Sequence, residues 1–161
     1  MAKNMKILII ILTLFYVGIS FSQDDRSDWI ELLKSNVQKE SKNLIKQNLE
    51  LTSEQAKVFW PIYDEYDQAL AEVTNERLQN ISDYMVNYKD LDSAKAESLL
   101  RKALELDQKK IDIQNEYYER FISVLPPTVV GKFFQLDQYI ELLIQLQRSE
   151  NIPLIQLNNK N

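Results

Sequence analysis

Histidine and cysteine are both missing from this 161-residue chain. Without them there is no Ser-His-Asp or Cys-His nucleophilic site, and none of the Glu-x-x-His pairs that hold a di-iron centre in a helical bundle. Thiolate metal sites, disulfides and a lipid-modified cysteine are excluded as well. Glycine occurs only as Gly18 and Gly131, and proline only four times. No Gly-rich phosphate loop and no nucleophile elbow is present. So few backbone breakers leave long helices as the least costly way to order the chain, whereas a strand-rich fold needs many more turn residues. The predicted class is all-α, a four-helix open bundle or a helical hairpin.

Residues 1–22 are set apart. Lys3 and Lys6 precede an apolar run at residues 7–17, ILIIILTLFYV, and Ser20 and Ser22 stand at −3 and −1 of a cleavage site before Gln23. This is the pattern of a signal peptide cleaved after Ser22, and the run is short against the roughly 20 residues of a membrane span. An exported, periplasmic protein is expected, with a helical domain at residues 23–150 and an extended tail at residues 151–161. Whole, the chain carries 19 basic and 24 acidic residues, a net charge of −5. Removing Lys3 and Lys6 with the leader takes it to −7. That balance argues against nucleic acid as a partner, because phosphate neutralisation needs a basic patch.

The strongest local signal lies at residues 51–66, LTSEQAKVFWPIYDEY. Thr52 is placed as an N-cap, and Gln55, three residues on, completes a capping box; Leu51 precedes them as a hydrophobic staple. A helix is predicted from Ser53 to about Tyr88, with a kink at Pro61, where a proline removes one backbone bond and crowds the carbonyl of Lys57. Before it, Trp29, Leu32 or Leu33, Val37, Leu44 and Ile45 mark a thinner helical stripe. Leu91 and Asp92 repeat the staple and cap, opening a third helix that runs to about Val124. It carries two apolar rows: Leu100, Leu104, Ile111, Tyr118 and Ile122 in one, Leu99, Ala103, Leu106, Ile113 and Tyr117 in the other. Pro127 can begin a fourth helix, whose buried face is read as Val129, Phe133, Leu136, Ile140 and Leu143, broadened by Phe134, Tyr139 and Leu146. The tail residues Ile152, Leu154, Ile155 and Leu157 are apolar enough to pack on the bundle or on a second copy.

The chemistry left to such a chain is carboxylate chemistry. Asp64, Glu65 and Asp67 lie together, but a helix does not wrap a hard cation as a loop does. Glu116 and Glu119 have little to support an acid–base role. No catalytic, cofactor-binding or metal-binding residue is assigned, and no enzyme is expected. The aromatics carry more information. Trp60, Tyr63, Tyr66, Tyr84, Tyr88, Tyr117 and Tyr118 suit a surface that is apolar but not dry, and they form the candidate protein-binding face. The competing reading of any single tyrosine is the bundle core.

Leu51-Thr52-Ser53-Glu54-Gln55 resembles the LTxxQ motif of the Spy and CpxP family of periplasmic proteins. The layout is similar too: an exported, cysteine-free helical chain with a short helix before the motif. Where the family places a second LTxxQ, this chain has Leu125-Pro126-Pro127-Thr128-Val129, which keeps only the leucine. The resemblance implies an antiparallel dimeric cradle that binds other proteins. One reading is an ATP-independent chaperone or envelope-stress accessory; the other is a dedicated regulator of a membrane sensor kinase or anti-sigma factor. Its partners would be unfolded or partly folded envelope proteins, or such a sensor. The family chaperone has a basic concave surface, which a chain of this charge does not match.

Overall fold

The computed structural model describes residues 39–149 and 152–155; the expected leader, its cleavage site and the stripe from Trp29 to Val37 lie outside them. The described residues are all-α. Four helices follow one another: α1 at residues 39–48, α2 at Ser53–Asn87, α3 at Ser93–Ile122 and α4 at Pro127–Ser149.

Each boundary has a local cause. After α1, the Leu49 amide donates to the Ile45 carbonyl and Asn48 Nδ2 to that of Leu44. Glu50 then takes a positive φ of 50°, the left-handed turn that often ends a helix. α2 opens with the capping box: Thr52 Oγ1 accepts from the Gln55 amide at 3.3 Å, and Gln55 Oε1 accepts from the Thr52 amide at 3.0 Å. The helix continues through Pro61 to Asn87. Lys57 and Pro61 are both exposed, so water has access where the proline removes a backbone bond. Asp92 caps α3 by accepting from the Lys95 amide at 2.8 Å. Pro127 is the first residue of α4, where its missing N–H costs no helical bond, and the Pro126 carbonyl receives the amides of Val129 and Val130.

Pairings between helices set their directions. Glu65 meets Arg120, Arg77 meets Asp107, and Asn80 Nδ2 donates to the Leu99 carbonyl, so α2 and α3 form an antiparallel hairpin. α4 lies antiparallel to α3, with Lys110 on Glu141 and Tyr118 near Phe134. It therefore runs parallel to α2, with Tyr66 bonded to Asp137 and, beyond the helix, Tyr84 bonded to Pro153. α1 packs along the first half of α2, where Lys42 pairs with Asp64.

All four helices meet at one end of this arrangement. Ile45 and Leu49 join Phe59, Tyr63, Tyr66, Tyr117, Phe121, Leu125, Val130, Phe133 and Ile140 in a single buried cluster. Phe59, Phe121 and Phe133 sit at its centre with ring centroids 4.9–5.2 Å apart. Aromatic pairs at such distances add about 0.5–1.5 kcal/mol each beyond the area they bury. Towards the other end of the hairpin the core narrows to Val73, Leu99 and Leu106 between α2 and α3. Of the two rows read on α3, the one containing Leu99, Leu106 and Tyr117 turns inward. The other, Leu100, Leu104, Ile111 and Tyr118, is exposed.

Candidate functional site

The structure divides the seven aromatic residues that the sequence nominates as a binding face. Tyr63, Tyr66 and Tyr117 belong to the buried cluster and are closed to a partner. The reason is the hairpin itself. Tyr66 and Tyr117 approach one another across α2 and α3 at 5.4 Å, while Tyr63 packs on Phe59 and Phe133. Trp60 is half-buried against Phe59, with the ammonium groups of Lys42 and Lys46 over its ring at 5.7 and 5.3 Å. Tyr84 and Tyr88 lie far along the hairpin, and the Tyr84 hydroxyl donates to the Pro153 carbonyl at 2.6 Å. Tyr118 alone among the seven is exposed. They do not make one face.

Leu51, Thr52 and Gln55 are brought together as a helix start. Leu51 is partly buried against the aromatic cluster and lines a shallow cleft with Leu49, Glu50, Ala56 and Trp60. Thr52 Oγ1 and Gln55 Oε1 each accept from the other's backbone amide, and Glu54 pairs with Lys57 one turn on, so the motif serves the helix start.

What sequence reasoning missed is a surface and a carboxylate. The surface is the outer row of α3, Leu100, Leu104, Ile111 and Tyr118, together with Tyr139 and Leu142 of α4, all of them exposed. The row was visible at its helical spacing, but spacing does not say which side a neighbour takes. The carboxylate is Asp137. It accepts from the Tyr66 hydroxyl at 2.6 Å in a partly buried position. Burial pushes its pKa up to about 6; the Tyr66 hydrogen bond opposes that, neighbouring Glu141 and Asp67 add to it, and Lys110 works against it. The same burial and the same carboxylate push the Tyr66 hydroxyl far above its ordinary range.

Several other acids are engaged structurally. Glu76 of α2 is held by Lys109 at 2.7 Å and Lys102 at 2.8 Å, both from α3, and those hydrogen bonds lower its pKa to about 2. Asp64 pairs with Lys42 and Glu65 with Arg120. Asp67 is raised, first by burial. Among the described residues no group of three or more acids is arranged to hold a metal ion, and no helix is long and apolar enough to cross a membrane.

No protein-family model matches the chain, and neither a curated protein nor a solved structure does.

Proposed function

We propose that this chain is an exported periplasmic protein that works by binding other proteins, as an ATP-independent chaperone or envelope-stress accessory of the Spy and CpxP kind, acting as a homodimer. The observation that carries the reading is the exposed apolar row on α3, set among charged residues on a scaffold of helices. Such a surface holds an unfolding chain loosely by apolar contact while its charges keep the complex soluble. The capping box at LTSEQ, at the head of the first of three long helices, supports the kinship with that family. Release comes from the client, which buries its own apolar surface as it folds.

Light scattering from an unfolding model client tests the reading. The purified protein, without ATP, should slow aggregation at near-stoichiometric ratio. With a net charge of −7 after removal of residues 1–22, it should favour a basic client over an acidic one, and high salt should shrink that preference. No suppression of either client would leave the dedicated regulator of a membrane sensor kinase or anti-sigma factor as the better account.

A further inference from the structure

We infer that the outer side of the α3–α4 pair is a docking surface for a cationic amphipathic helix of about five turns, supplied by the partner. This rests on the reading above that the protein works by binding other proteins, and it says where and what.

The geometry follows from one ion pair. Lys110 and Glu141 face each other across the antiparallel seam of α3 and α4. In such a pair, one step forward along either helix turns both side chains towards the same side of the seam, by about 100° each. Ile111 and Leu142, the next residues, therefore stand on one side of it. The same counting places Leu100, Leu104, Tyr118 and Tyr139 on that side, at about 80–160° from the seam. All six are exposed, with Leu100 at 60 % and Tyr139 at 61 %. The α3 row and the α4 pair thus share one side of the seam, with the exposed Gln138 and Gln145 between them. From Leu100 to Tyr118 the row runs about 27 Å, the length of a five-turn helix.

Charge selects the occupant. The cations of α3 are mostly engaged: Lys102 and Lys109 on Glu76, Arg120 on Glu65, Lys110 on Glu141 and Arg101 on its neighbour Glu97. Four of these five reach to acids of another helix. Along the outer edge of the row stand Glu97, Asp112 and Glu119. Neither Asp112 nor Glu119 has a cation among the described residues, and Asp112 accepts only from Gln108. The surface is apolar along the α3 row and acidic along that row's outer edge. A second copy of the chain would bring like charges to that edge, whereas a helix with leucines on one side and lysines beside them matches both features.

The experiment is fluorescence anisotropy of labelled 18-residue peptides with the full chain lacking residues 1–22. The probes are a Leu/Lys amphipathic helix, a scrambled peptide of the same composition, and a Leu/Glu helix with the same apolar pattern. The Leu/Lys helix should bind, the other two roughly tenfold or more weaker. Leu104→Gln with Ile111→Gln should weaken it by a similar factor. Asp112→Asn with Glu119→Gln should weaken it about threefold at low salt and leave affinity unchanged at high salt. Met85→Gln with Val86→Gln, an exposed apolar pair elsewhere, should change nothing, and circular dichroism checks that each variant is folded. Equal binding of the Leu/Lys helix to wild type and to the Leu104/Ile111 variant would overturn the assignment, as would equal binding of the Leu/Glu helix. A dimer in analytical ultracentrifugation that this variant abolishes would hand the surface to a second copy. Aggregation suppression measured on the same samples separates the two readings. If it persists in wild type while no peptide binds, the docking surface fails and the broader function stands.

Discussion

At pH 7 the carboxylate of Asp137 is charged in a place that disfavours charge. Its pKa of about 6 in the folded chain stands above the usual 3.9 of an unfolded aspartate. Between those values the folded state binds more protons than the unfolded one. Stability from this group is therefore complete below about pH 4 and falls as pH rises through 6. Asp137→Asn should raise stability at pH 7 by at most about 3 kcal/mol, leave it little changed at pH 4, and flatten the profile between. Urea unfolding at several pH values measures this. Tyr66→Phe removes the hydrogen bond that favours the ionised form, so the fall should shift to higher pH. Glu76 acts in the opposite sense: its lowered pKa gives stability that is present above about pH 4.5 and lost as pH drops towards 2. Glu50 offers a backbone test. A left-handed non-glycine residue costs about 1–2 kcal/mol, so Glu50→Gly should be more stable than Glu50→Ala by about 1 kcal/mol.

The helix starts were legible because a cap is a local device. Thr52 with Gln55, and Asp92, need only their own first turn, and both make the bonds their spacing implies. Thr52→Ala should cost about 1 kcal/mol in thermal or urea unfolding, and Gln55→Ala less. The side that a helix buries is decided by neighbours, and there the reading of the sequence had to stop. Leu104 and Leu106 are two residues apart on α3 and equally apolar, yet one is 59 % exposed and the other 0 %. Leu106→Ala should cost about 2–5 kcal/mol, and Leu104→Ala no more than about 0.5. α4 repeats the lesson. Phe133 and Ile140 are buried as their spacing implies, but Val130 is deeper than Val129, and Tyr139 is turned outward. Asp137 was illegible for the same reason, since nothing in its own segment announces a tyrosine hydroxyl from 71 residues earlier.

At the scale of the molecule, the all-α class followed from the scarcity of glycine and proline, and the described residues contain helices and their connections with no strand. The placing of a binding face did not follow. Tyrosine and tryptophan suit a wet interface and a bundle core alike, and here Tyr63, Tyr66 and Tyr117 take the core, filling the end where four helices converge. Phenylalanine is the centre of that end, and Phe121→Ala should cost about 3–5 kcal/mol, enough to threaten the fold of a domain this size.

The uneven depth of packing along the α2–α3 hairpin also sets a timetable. Near Phe59 and Phe121 a backbone amide is covered by three neighbouring helices; near Tyr84 and Leu99 it has one helix and a short stretch of tail. Amides of residues 81–87 and 93–99 should exchange with deuterium by local opening, well before those of residues 62–73, which await global unfolding. Tyr84→Phe, which releases the tail at Pro153, should quicken the first group and leave the second unchanged. Such a chain keeps time at two rates, one for the turn of its hairpin and one for its aromatic end.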